Sequence, residues 1–210
     1  SDEVAQNVML SSRKGADRLL RYAFELARRR RGQLVLCDKA NPIEAAHGLW
    51  RRALADLAPL YPDVQARTLY ADVAAMRMVT HPQEFDVVVG DNMIGDILSD
   101  LAAALVGGLG LAPSSSTHPG RVAMYEPVHG SAPDIVGTGK ANPLAAVLSA
   151  AMLLRDFSQP AAADAIELAC AESVRARDTT PDLGGKRTTT EVADRLCQAL
   201  GAQPAAAAVA

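Results

Sequence analysis

The chain has 210 residues, 49% hydrophobic and 21% charged, with a formal net charge of −3 at pH 7 and a pI near 5.8. This is the composition of a globular protein of one large or two small domains, and it excludes a disordered chain and a broadly basic nucleic-acid binder. No run of eighteen apolar residues occurs, and the start SDEVAQNVML lacks a basic stretch followed by an apolar one, so neither a transmembrane helix nor a signal peptide is expected.

Residues 12–30 read as an amphipathic helix, with Leu19, Leu20, Ala23, Phe24, Leu26 and Ala27 at helical spacing. Arg28 to Arg31 place cations at its C-terminus, where the macrodipole favours them, a plainer reading than a nucleic-acid patch, and Gly32 ends it. Residues 33–37 read as a strand, followed by a polar loop and a helix over 43–58. A strand over 65–70 and a short helix over 73–79 come next. FDVVVG (85–90) is expected to be the clearest buried strand, and 93–106 a helix. Residues 107–120, with three glycines, two prolines and three consecutive serines before the last Gly, read as a long loop and domain junction. Residues 121–125 read as a strand and 126–142 as a second loop punctuated by Gly and Pro. Helices are expected over 143–157, with Pro143 in the first turn, and over 161–175 and 190–200. The alanine-rich end, 202–210, reads as a frayed tail.

Strands alternating with helices predict an α/β architecture. Neither the GxGxxG dinucleotide pattern nor the phosphate-loop pattern GxxxxGK is present. Aromatics are only 4%, so the core must come from Leu, Val, Ile, Ala and Met. Cys37, Cys170 and Cys197 lie far apart with no CxxC, which argues against a disulfide framework or zinc site and for a reduced, cytoplasmic protein. All three are expected to be buried packing. His47, His81 and His118 have no partners at metal-ligand spacing and read as surface or loop residues.

The densest acidic cluster is DNMIGDILSD (91–100), just after the FDVVVG strand, where open α/β sheets place their ligands. Asp96 and Asp100 share a helix face, a repulsion of roughly 0.2–0.5 kcal/mol that a hard cation would offset. The alternative is that Asp91 or Asn92 caps the helix while the other acids face water. Lys39, at a strand-to-loop junction, is either a general base tuned by burial or a solvated lysine. Asp72 reads as a helix cap by default. The loop from Glu126 to Asp134 frees its backbone with Gly130 and Ser131 for close approach to a ligand, with His129 beside it; the alternative is an ordinary crossing segment.

Four stretches together resemble the β-decarboxylating dehydrogenases, the family of the isocitrate, 3-isopropylmalate, tartrate/D-malate and homoisocitrate enzymes. They are DKAN (38–41), YAD with AAM (70–76), NMIGDILSD (92–100) and EPVHGSAPDIVGTGKANP (126–143); TPDLGGKRTTTEV (180–192) also fits. The likeness runs from about Ser12 to Leu200. It implies an α/β, isopropylmalate-dehydrogenase-like fold with mixed sheets flanked by helices, lacking the N-terminal part of the family's chain. Residues 1–106 would be a partial dimerisation and metal-site domain, and 107–210 the C-terminal half of the cofactor domain.

The resemblance implies Lys39 and Asp72 as catalytic residues and Asp72, Asp96 and Asp100 as ligands of Mg²⁺ or Mn²⁺. It implies Asn41, Glu126, His129, Gly130, Ser131, Ala132, Asp134 and Asn142 around the cofactor. Lys39 and Asp72 would reach the site from a neighbouring subunit, which implies a homodimer with shared active sites. The four charges Lys39, Asp72, Asp96 and Asp100 are expected to be buried. The cofactor is expected to be NAD: in NADP-using relatives a Lys-Tyr pair stands at Asp134-Ile135, whereas a carboxylate there accepts hydrogen bonds from ribose hydroxyls and repels a 2′-phosphate. The implied reaction is oxidation and decarboxylation of a 3-substituted malate, 3-isopropylmalate on the route to leucine being the expected substrate. SSRKGADRLLRYAFELA (11–27) also fits tartrate/D-malate enzymes, and a non-catalytic partner subunit retaining the dimer surface is the alternative of another class. Ile94 stands where the family usually has Phe, which implies looser packing there.

Overall fold

The computed structural model describes residues 2–118, 120 and 122–201. It divides into two compact units, Ser1–Ala102 and Ala103–Ala210.

The first unit holds α1 (Arg13–Arg28), β1 (Gln33–Asp38), α2 (Glu44–Leu57), β2 (Gln65–Tyr70), α3 (Ala71–Thr80), β3 (Val87–Val89) and most of α4 (Asn92–Leu105). The strands form a parallel sheet ordered β2-β1-β3, with Leu34 between Ala66 and Val87. β1 therefore has helices over both faces, and its side chains alternate between them. Leu34 and Leu36 pack with Leu20 and Phe24 of α1 and Trp50 and Leu54 of α2. Val35 and Cys37 pack on the other face with Ala74 and Met78 of α3 and Ile94 and Leu98 of α4. A strand covered on both sides needs an unbroken apolar run, which LVLC supplies. Each large apolar side chain buried here contributes about 1.5–3 kcal/mol. Ile94 is only 6% exposed, so the position under α4 is filled rather than loose.

FDVVVG is not the most buried strand. Only Val87–Val89 extends, at one edge of the sheet, and β1 takes the centre. Asp86 is drawn away from the strand: its carboxylate accepts from Arg30 Nε at 2.9 Å and from the Arg31 backbone N–H at 2.8 Å. With Arg28 on Asp63 at 2.7 Å, the basic run is paired locally.

The second unit holds β4 (Pro113–Thr117), β5 (Ala123–Pro127), α5 (Leu144–Asp156), α6 (Pro160–Arg175) and α7 (Thr189–Gly201). β4 and β5 pair antiparallel, with Ser115 opposite Tyr125. The expected loop thus contains a strand, made of PSSST. Its composition carries no strand signal; pairing with β5 and packing against α5 override it. The core joins Leu144, Cys170, Val192 and Leu196 across the three helices. Pro143 is the N-cap of α5, one residue before the first turn. Cys197, expected inside, is exposed, because it follows the buried Leu196 on α7 and so points off the packed face. Cys37 and Cys170 are buried, and burial pushes their thiols up to about 12 and about 11. The tail expected over 202–210 lies outside the described residues. Among the described residues no helix is long and apolar enough to cross a membrane.

Candidate active site

Parallel pairing sets the ends of β1 and β2 side by side, Asp38 opposite Tyr70. The segments leaving the two strands therefore meet, although they are far apart in sequence. Asp38 is 1% exposed and is answered on both carboxylate oxygens by Arg51 of α2, at 2.7 and 2.9 Å. The Ala40 N–H also donates to Asp38 Oδ1, at 2.9 Å, which turns the chain out of the sheet at Lys39. Lys39 Nζ then lies 2.7 Å from Oδ1 of Asp72, in the first turn of α3, and 5.6 Å above the Tyr70 ring, whose face also carries the Arg51 guanidinium at 4.8 Å. The hydrogen bond from Lys39 holds the Asp72 carboxyl below its ordinary range. The expectation of a buried pair is corrected: the Lys39 side chain is 29% exposed and that of Asp72 65%, because both project beyond the strand ends. Asn41, also exposed, follows in the same turn.

His47 is not the surface or loop residue expected. It is 1% exposed, on the face of α2 that carries Trp50, Leu54 and Leu57. Its Nδ1 accepts the Lys39 backbone N–H at 2.8 Å, and its Nε2 meets Asp91 Oδ2 at 2.7 Å. Its helical spacing from Trp50 was the signal that could have found it.

Asp91 Oδ1 accepts the Ile94 N–H at 2.9 Å and so caps α4. Asp96 and Asp100 follow on one face and are exposed, again against the expectation of burial, since Ile94 and Leu98 take the packed face. Beside them on α4, Met93 and Ile97 are 46% and 61% exposed, and on α3 Met76 and Val79 are 60% and 57%. Among the described residues no group of three or more His, Cys, Asp or Glu is placed to hold a metal. The structure thus brings together Lys39 with Asp72, and separately Asp96 with Asp100, without uniting the three carboxylates in one chain. Carboxylate chemistry itself suits a hard divalent ion.

In the second unit His129, Gly130, Ser131, Ala132 and Asn142 line one cavity of about 500 Å³; Glu126 and Asp134 do not line it, although Ile135 does. Ala132 takes φ 45°, ψ 62°, a left-handed conformation that costs a residue with a Cβ roughly 1–2 kcal/mol. Asn142 Oδ1 accepts the Leu144 N–H at 3.0 Å at the start of α5, and its Nδ2 donates to Asp182 Oδ2 at 2.9 Å. Thr180 donates to the other oxygen at 2.5 Å. A Cβ on Gly110 would stand 2.8 Å from both Asn142 and Asp182, so only glycine fits there. Asp182 and Thr189 line the cavity too; neither is among the expected site residues, although both lie in TPDLGGKRTTTEV. A cavity of this size, with apolar Ile135 and Val136 beside polar Asn142 and Asp182, fits a flat nucleoside with a polar edge.

The chain thus presents a parallel α/β unit with charged groups at its strand ends and a second unit with a small-residue cavity. The family model for isocitrate/isopropylmalate dehydrogenase matches residues 1–196, and the chain belongs to that family. It is 49% identical over 184 residues to the 3-isopropylmalate dehydrogenase of Zymomonas mobilis, covering 87% of this chain and 52% of that one. To the 3-isopropylmalate dehydrogenase of Gloeobacter violaceus it is 54% identical over 164 residues, 78% of this chain and 45% of that one. The chain spans about half the length of the curated relatives it matches. The crystal structure of isocitrate dehydrogenase from Methylococcus capsulatus superposes with a TM-score of 0.86 at 40% identity, covering 93% of this chain and 58% of that one.

Proposed function

We propose that this chain forms part of an NAD-dependent β-decarboxylating dehydrogenase acting on a 3-substituted malate, with 3-isopropylmalate as the substrate. The observation that carries this reading is the Lys39–Asp72 pair at the ends of parallel strands, 2.7 Å apart, in a chain about half identical to several 3-isopropylmalate dehydrogenases.

In this reading Lys39 handles the proton of the substrate hydroxyl at Nζ, directly or through one water. Asp72 keeps Nζ in place, and the Tyr70 face limits its swing. Positioned proton transfer of this kind contributes about 10²–10⁴-fold. Asp96 and Asp100, with Asp72, would hold Mg²⁺ or Mn²⁺, which supplies positive charge opposite the oxygen that becomes negative. NAD supplies the hydride acceptor. Gly130, Ser131 and Ala132 offer backbone groups to it, His129 and Asn142 a ring and an amide, and Asp134 a carboxylate for the ribose hydroxyls. Asn41 and Glu126 are assigned to the cofactor on the family likeness alone.

The exposed apolar stripe on α3 and α4, bordered by Asp96 and Asp100, supports a homodimer in which Lys39 and Asp72 of one subunit complete the acids of the other. The site then needs no third carboxylate from one chain. These groups make a small-molecule site, and the family's biosynthetic role makes the cytoplasm its expected compartment.

The test is NADH formation by the purified protein with Mn²⁺ and each of 3-isopropylmalate, D-malate and tartrate. Turnover of 3-isopropylmalate supports the reading. Turnover confined to D-malate or tartrate reassigns the substrate, and preference for NADP overturns the cofactor.

A further inference from the structure

Five polar residues are buried among the described residues, and the Asp86 side chain, 1% exposed, is answered by Arg30 and the Arg31 N–H. Asp38 is answered by Arg51, Ser149 bonds back to the Ala145 carbonyl, and Thr179 and Thr180 lie in the turn that holds Asp182. His47 alone links two parts of the candidate site. It occupies an otherwise apolar helix face, where a hydrophobic side chain would fill the space without the cost of desolvating an imidazole.

Both ring nitrogens are committed. Nδ1 accepts the Lys39 backbone N–H at 2.8 Å, so it carries no proton. The ring proton is then on Nε2, which donates to Asp91 Oδ2 at 2.7 Å. Asp91 Oδ1 accepts the Ile94 N–H, so the carboxylate is itself fixed by the first turn of α4. Three hydrogen bonds thus run without a break from the start of α4, through Asp91 and His47, to the backbone of Lys39. The lysine has further restraints: Asp72 on its ammonium, the Tyr70 ring beneath it, the Asp38 turn beside it and the Ile43 N–H on its carbonyl oxygen. None of these fixes its own N–H.

We propose that His47 is a positioning residue for Lys39: anchored by Asp91, its ring sets the backbone from which the lysine reaches the reacting hydroxyl. The inference rests on the reading of Lys39 as the group that handles the proton.

Three variants separate the bonds. His47→Asn keeps an acceptor near the place of Nδ1 and gives up the reach to Asp91. His47→Gln keeps a donor near the place of Nε2 and leaves the Lys39 N–H without its acceptor. Asp91→Asn still caps α4, since Asn caps as well as Asp, but offers one acceptor where two donors converge. With 3-isopropylmalate, NAD and Mn²⁺, His47→Gln is expected to lower kcat by about tenfold to a hundredfold, as misplacement of a reacting group does, with KM changed less than about twofold. His47→Asn is expected to recover most of that loss, and Asp91→Asn to fall between.

Two readouts need no turnover. Nitrogen NMR of the wild-type protein is expected to show His47 protonated on Nε2 alone. Hydrogen exchange at the Lys39 amide is expected to be slow in wild type and His47→Asn, and fast in His47→Gln. A wild-type ring protonated on Nδ1, equal Lys39 exchange in wild type and His47→Gln, or unchanged kcat in all three variants would overturn the proposal. If the wild type turns over none of the three substrates, the functional reading fails; the ring-proton and exchange readouts still decide whether the tether exists.

Discussion

The two units carry their candidate sites on opposite plans. Around Lys39 the restraints are side chains: a buried carboxylate gripped by Arg51, a buried imidazole, an aromatic face and a partner acid. Around the cavity of the second unit they are backbone and small residues, with Ala132 in a left-handed conformation and Gly110 crowded against Asn142 and Asp182. The first plan places a reacting atom, where an error of an ångström is costly. The second leaves room for a large flat ligand to lie close to the main chain. On the proposed reading, proton handling needs the first and dinucleotide binding the second.

The largest expected effect probes the first plan. Lys39→Met should lower kcat by about 10²–10⁴-fold with little change in melting temperature, because the side chain is partly exposed and braced from outside itself. Activity within tenfold of wild type would break the comparison. Removing a brace should act on stability instead. Arg51→Met leaves the Asp38 carboxylate buried and unpaired and should cost about 3 kcal/mol in urea unfolding.

The second plan gives smaller effects. Exchanging Asp134 for Lys together with Ile135 for Tyr should shift the NAD-to-NADP preference by at least about tenfold, or about 1.4 kcal/mol, read as the ratio of kcat/KM values. Ala132→Gly should stabilise the folded chain by up to about 1 kcal/mol by relieving its left-handed strain, while raising the KM for NAD through a looser loop; a destabilised variant would show that the strain is not local. The smallest concerns the cysteines. At neutral pH a thiol reagent should modify Cys197 and spare Cys37 and Cys170, whose thiols burial raises to about 12 and about 11. Because the fold favours their neutral form, their contribution to stability is complete below the unfolded thiol's pKa of about 8.5 and is lost as pH rises towards those values. Alkaline unfolding curves of Cys→Ser variants would read it.

Much of the first unit was legible because its strands advertise themselves. The run at 65–70 forms β2 over those residues, and LVLC makes a buried strand. β4 was not legible: serines become a strand only through their partner and the helix beneath. The meeting of Lys39 with Asp72 followed from no local pattern, since it depends on parallel register between β1 and β2; the family likeness implied a shared site for them and said nothing of their contact. His47 failed for a different reason. Metal spacing was asked of it, whereas its place on the Trp50 face was the informative property. The exposure of Asp96 and Asp100 was hidden because a helix pattern shows which residues a core takes and is silent about faces left for another surface.

The strand order of the first sheet has a consequence for synthesis. β1 leaves the ribosome before both of its sheet neighbours, β3 ending at Val89. Until then LVLC is an apolar ribbon with open edges, and parallel strands cannot close on it by a simple hairpin. That segment must therefore wait for its sheet partners, and α1 and α2, made before β2, are the covering this unit offers it.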